Sequence, residues 1–202
     1  MKAQRPYPQI VITPKGERAL TGGHPWVYAG EVTRTDESVQ DGSLVDVVSR
    51  RGAYLGTGFY NSHSTIRCRL LSRNANDRFD ADFWRRRIRY AWDYRRTVMG
   101  DADSRCCRVI FGEADGFPGL TVDRFEHILV AQVLSRGMEQ LQHVIFPLLV
   151  EELRRDGQRI DGVYLRNDVA LREKEGLAQS CGWYPLPGEP VPDCRQVEIE
   201  EN

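Results

Sequence analysis

Apolar positions along the chain shift between a period of two and a period near 3.6, and those shifts divide it into elements. Ile10, Val11 and Ile12 make a short apolar strand over Gln9–Ile12. Thr13-Pro14-Lys15-Gly16-Glu17 then reads as a helix start, with Thr13 as N-cap, Pro14 in the first turn and Glu17 as a capping-box partner. Gly22-Gly23 stops that helix. Runs at 27–32, 44–49, 54–60 and 66–71 read as strands. Turn chemistry separates them at Asp41-Gly42 and at Asn61-Ser62-His63-Ser64. Short strands with turn signals every 8–12 residues or so predict a compact barrel over the first 72 residues.

The period then changes. Over 77–99, Phe83, Ile88, Ala91 and Trp92 form a helical stripe behind Asp77, Asp80 and Asp82, whose charges suit a helix N-terminus. Arg85, Arg86, Arg87, Arg89, Arg95 and Arg96 spread over the remaining surface, as a solvated linking helix or as a basic rod beside RNA. Residues 107–134 alternate as a meander around the turn Ala114-Asp115-Gly116-Phe117-Pro118-Gly119. Residues 137–156 predict an amphipathic helix that Pro147 should kink. A strand at 162–166, a short polar segment at 173–177, a loop with four prolines at 182–192 and a strand-like run at 197–200 complete the chain. The pattern is α+β, divided as 1–72, a linking helix at 73–100, and a small α+β unit at 101–202.

Composition narrows this picture. The 202 residues are 41% hydrophobic and 28% charged, ordinary globular usage. The longest apolar runs, such as 128–130 and 144–150, fall far short of the roughly 18 residues a membrane helix needs. The N-terminus carries no secretory apolar core, so a cytoplasmic chain is expected. Five cysteines, without a C-x-x-C pair, predict reduced thiols rather than a zinc site or disulfide framework. Neither G-x-G-x-x-G nor a Walker-type loop is present.

Net charge is −1, but residues 1–110 hold 19 Lys+Arg against 12 Asp+Glu, and residues 111–202 hold 9 against 17. The halves are therefore +7 and −8, and the first suggests a face for an anionic partner. All but three of the 28 basic residues are arginine, whose planar fork suits phosphates and bases. Candidate RNA contacts in the barrel are Lys15, Arg18, Arg50, Arg51, Arg67 and Arg69, with His24 and Trp26 as flat groups. Trp26 equally suits a core, and His24 a turn cap. Asp115 and Asp123 flank the Gly-Phe-Pro-Gly turn, either as turn formers or as paired carboxylates.

Several segments carry a more specific signal: Pro14-Lys15-Gly16-Glu17-Arg18, Gly23-His24-Pro25-Trp26-Val27-Tyr28, the run 52–61, the run 66–71, Glu113-Ala114-Asp115-Gly116-Phe117-Pro118-Gly119-Leu120, and Arg166-Asn167-Asp168 with Arg172 and Glu175-Gly176-Leu177. In this order they resemble the ribosomal RNA large-subunit methyltransferase I family, S-adenosylmethionine-dependent RNA cytosine-C5 methyltransferases and relatives. The resemblance implies an RNA-binding PUA domain (a β pseudo-barrel) over 1–72, a central α+β unit after it, and large-subunit ribosomal RNA as partner. It further implies that Asp115 and Asp123 dock a Rossmann-like methyltransferase domain that holds S-adenosylmethionine and the catalytic cysteine. No cysteine here sits in a setting like that nucleophile's. The resulting expectation is an RNA-binding region in which the Rossmann-like domain and the cofactor are absent, inactive alone. The alternative is a stand-alone, non-catalytic RNA-binding or ribosome-assembly protein.

Overall fold

The computed structural model describes residues 5–194 and 196–199, with backbone alone at 100–103. Strands β1 (Gln9–Ile12), β2 (Trp26–Tyr28), β3 (Val32–Thr35), β4 (Leu44–Val48), β5 (Tyr54–Tyr60) and β6 (Ile66–Ser72) form one sheet in the order β2-β6-β5-β4-β1-β3. Its edge strands, β2 and β3, are consecutive in sequence, joined only by a 3₁₀ turn at Ala29–Glu31. Three residues span roughly 10 Å, so the sheet must curl until its edges nearly meet. This is the expected pseudo-barrel.

The run at 27–32 is therefore not one strand. The buried Glu31 carboxylate accepts the Tyr28 N–H at 3.0 Å and folds the chain back between β2 and β3. Helix α1 (Pro14–Thr21) starts as expected, with Thr13 Oγ1 accepting from Gly16 N at 3.2 Å. The third helical residue is Gly16, however, so Glu17 completes no capping box.

Strands β7 (Cys106–Phe111), β8 (Leu120–Phe125), β9 (Ile128–Val133), β10 (Gly162–Asn167) and β11 (Ser180–Trp183) make a second sheet, ordered β11-β10-β9-β8-β7. β9 and β10 run parallel, linked by helix α3 (Arg136–Arg155); the other pairs are antiparallel. This β–α–β crossover is the unit from which Rossmann-like sheets are built, so that architecture is not wholly missing. Pro147 sits inside α3 without ending it; the carbonyl it frees is that of exposed His143. The loop expected from 182 begins as β11, and 197–199 form no strand; residues 195 and 200–202 lie outside the described residues.

Helix α2 (Ala81–Asp103), capped by Asp80 Oδ1 on Phe83 N at 3.0 Å, lies against α3 and β7. Several of its arginines are held within the protein rather than lined up as an open basic rod, while Arg86 stays exposed. Arg85 binds Glu151 at 2.8 Å and Glu152 at 2.7 Å, Arg89 binds Glu152 at 2.6 Å, and Arg96 binds Asp156 at 2.7 Å.

Ile10, Ile12, Leu20, Val27, Val45, Val47, Cys68 and Leu70 fill the barrel interior. Phe59 and Leu71, on the outer side of β5 and β6, join the core of α2, α3 and the second sheet. A Cβ on Gly137, in the first turn of α3, would lie 2.1 Å from Phe59 Cγ. Glycine there lets the helix press against the ring.

Candidate nucleic-acid interface

β2 and β6 pair antiparallel with Trp26 opposite Arg69, which puts both side chains on one face. The Arg69 guanidinium lies 5.4 Å from the Trp26 ring centre, and His24, Trp26 and Tyr28 pack edge-on or tilted at 5.7–6.3 Å. Two carboxylates from the second sheet's side reach this face. Glu113, in a 3₁₀ turn after β7 (Gly112–Asp115), accepts from Trp26 Nε1 at 2.7 Å and Arg69 Nη1 at 3.0 Å, both through Oε1. Glu175 follows the short helix α4 (Leu171–Lys174) and is buried. It accepts from Arg69 Nη2 at 2.9 Å, Ser64 Oγ at 2.6 Å and Asn61 Nδ2 at 3.1 Å. Arg69 Nε is the one buried side-chain nitrogen or oxygen among the described residues without a hydrogen-bond partner.

Between these walls lies a cleft of about 730 Å³ whose lining includes Trp26, Arg69, Phe111, Glu113, Leu171 and Lys174. Phe111 is 54% exposed and Leu171 48%, so the cleft presents two large apolar side chains to solvent.

The residues expected to touch RNA divide into two groups. Lys15 and Arg18 on α1, and Arg50 and Arg51 in the β4–β5 turn, are exposed and have no ion-pair partner. Arg67 and Arg69 are engaged within the protein. Arg67 Nη1 donates to the carbonyls of Asn61 (3.2 Å) and Ser62, and Arg69 bridges the two carboxylates. His24 Nδ1 accepts the Trp26 N–H at 3.2 Å, so it does cap a turn, while Trp26 is half-buried against the cleft. Asp115 accepts from Arg95 at 2.6 and 3.1 Å and from Phe111 N at 2.6 Å. Asp123 pairs with Arg108 across β7–β8 at 2.8 Å. Each aspartate is held by its own arginine, which leaves no free carboxylate pair for acid–base chemistry. Glu113, Glu175 and Asn61 lie in segments that carried the family resemblance, yet no local pattern marked them as partners of Arg69.

Among the described residues, no group of three or more His, Cys, Asp or Glu could hold a metal ion, and no helix is long and apolar enough to cross a membrane.

Residues 10–73 match the PUA-like domain family. The chain is 35% identical to the ribosomal RNA large subunit methyltransferase I of Salmonella enteritidis over 195 residues, 95% of its length, and 35% identical to that of Salmonella typhi over 192. Over nearly its whole length the chain is thus similar to part of these ribosomal RNA large subunit methyltransferases. It spans about half the length of these curated relatives, 46% of each.

Solved structures extend the family likeness to the fold. A Streptococcus mutans protein titled as a SAM-dependent methyltransferase aligns with 90% of this chain and 44% of its own (TM-score 0.67, 15% identity). A second solved protein, assigned as a methyltransferase and complexed with SAH, aligns with 78% of this chain and 40% of its own (TM-score 0.62, 16% identity). These alignments correct two expectations: that the Rossmann-like methyltransferase architecture is absent, and that the chain is an RNA-binding region lacking the catalytic domain. Nine-tenths of the chain shares the fold of the matched 44% of that Streptococcus mutans protein, and its second sheet is mixed, with the β9–α3–β10 crossover. The missing cysteine setting was weak ground, because it does not report on sheet topology. The expected inactivity of the chain loses its basis with it, as do the missing domain expected as partner and the expected absence of S-adenosylmethionine from this chain.

One place for that cofactor can be tested on the structure. In doubly wound folds the turn after a parallel strand opens toward the ligand. Here the β9–α3 turn is closed: Gly137 faces Phe59, and the Ser135 hydroxyl donates to the Pro118 carbonyl at 2.7 Å and accepts from Met138 N at 3.4 Å. That turn does not fit an adenosyl group.

Proposed function

We propose that the chain serves methyl transfer to large-subunit ribosomal RNA, in the cytoplasm, with S-adenosylmethionine as methyl donor of the whole protein. In this reading residues 1–72 grip RNA, the helix region 73–100 braces them, and 101–202 form the unit that packs beneath. The likeness to ribosomal RNA large subunit methyltransferase I supports the reaction. The observation that carries RNA engagement is the set of unpaired cations Lys15, Arg18, Arg50 and Arg51 on the PUA-like region.

Filter binding to large-subunit ribosomal RNA across a salt series tests the reading. Affinity should fall steeply with salt, because each neutralised phosphate releases counterions. Replacing the four cations with alanine should lower the slope of log K against log salt by about 3, at roughly 0.7–0.9 per contact. No affinity at low salt, or no slope, refutes RNA engagement. Calorimetric titration with S-adenosylmethionine locates the donor: saturable heat places it on this chain, and a flat trace removes it from this part of the protein.

A further inference from the structure

The cleft beside Arg69 has an unusual combination of walls. Phe111 is 54% exposed, with the Arg108 guanidinium 5.2 Å from its ring centre. Glu113 spends Oε1 on both Trp26 and Arg69, so Oε2 has no hydrogen bond, and its side chain is 23% exposed. Lys174, also lining the cleft, is exposed and makes no ion pair. The volume of about 730 Å³ falls in the range of small-molecule pockets.

An aromatic ring, an acceptor with nothing to accept and a cation together suit one unpaired nucleotide. We infer that the cleft takes a single-stranded RNA nucleotide whose base stacks on Phe111, whose exocyclic amino group donates to Glu113 Oε2, and whose phosphate lies by Lys174. The cleft then selects cytosine or adenine over uracil. Uracil offers a carbonyl oxygen where the others offer an amino group, and two acceptors facing each other repel. A base inside a duplex cannot reach Glu113, so loops and single strands are the substrates. The inference rests on the RNA reading above.

Fluorescence anisotropy with labelled single-stranded decaribonucleotides tests it. Oligo(C) and oligo(A) should bind the intact chain about tenfold tighter than oligo(U), the effect of one good base contact. Phe111→Ala, at an exposed position, should weaken all three about tenfold by removing the stacking surface. Glu113→Gln keeps an oxygen for Trp26 and Arg69 but turns the free acceptor into a donor, so the preference should reverse toward oligo(U). Equal binding of the three oligomers, or an unchanged order in Glu113→Gln, overturns the inference if ribosomal RNA still binds with its salt slope. Loss of binding to every RNA tells instead against the RNA reading.

Discussion

Arg69→Met probes the joint between the two sheets, because it keeps an unbranched apolar stem and removes the charge. The arginine is 11% exposed, and its partners Glu113 and Glu175 are 23% and 5% exposed. Breaking a buried ion pair by removing one partner costs about 3–5 kcal/mol, since the other charge stays buried. Glu175 meets that condition; Glu113 is wet enough to contribute less. Against this, methionine removes the orphaned Arg69 Nε, whose burial without a partner costs about 1 kcal/mol or more. The net loss should be about 3 kcal/mol, read as a shift in the urea midpoint at constant slope. Adding Glu175→Gln should recover at least about 1 kcal/mol, because the amide can still bond Ser64 and Asn61 without a charge to bury. A variant within about 0.5 kcal/mol of the parent, the size of an ordinary surface change, refutes the reasoning. So does a double variant less stable than Arg69→Met alone.

Gly137→Ala should destabilise the fold by about 2 kcal/mol in thermal melts, because crowding Phe59 outweighs the roughly 1 kcal/mol of helix propensity gained. The further change Phe59→Ala should relieve that particular cost, and a rise in Tm for Gly137→Ala alone would contradict it. Hydrogen bonds from Arg89, then Arg85, hold the Glu152 carboxyl below its ordinary value of 4.5. A depressed carboxylate stabilises the fold fully above its unfolded pKa, and the contribution is lost as pH falls through the folded value. Glu152→Gln should therefore lower stability at neutral pH by about 2 kcal/mol. It should also flatten the decline in stability expected below about pH 4.5 in urea titrations of the parent. Burial pushes the Cys68 thiol well above its usual range, so a thiol reagent should label exposed Cys181 in the native protein and reach Cys68 only on unfolding.

Most strands and helices were legible because their signals are local. Ile10 and Ile12, Thr13-Pro14, and the Phe83–Trp92 stripe are each read within one or two turns of chain. The errors fell where a distant group decides the outcome. Glu31 breaks the 27–32 strand by reaching back to Tyr28, and the parallel pairing of β9 with β10 is fixed by packing on α3 rather than by any motif. The candidate site was half legible: Trp26 and Arg69 were marked, but the partners of Arg69 lie 44 and 106 residues away. No periodicity reports a pair at that distance.

The charge asymmetry is the instructive case. A half at +7 looks like a surface for a polyanion, yet much of it faces the half at −8. Arg69 binds Glu113 and Glu175, Arg95 binds Asp115, Arg108 binds Asp123, Arg85 and Arg89 bind Glu152 on α3, and Arg96 binds Asp156 just after it. Opposite charges segregated along a chain can thus mark an internal interface as readily as an external partner. The two readings differ in what salt does. Paired and partly buried charges are weakly screened and release few counterions on RNA binding, whereas exposed, unpaired cations are strongly screened and release counterions when they meet phosphates. The salt slope of RNA binding should therefore count Lys15, Arg18, Arg50, Arg51 and cations like them. Arg85, Arg89 and Arg96 should be silent in it although they stand in the same basic half.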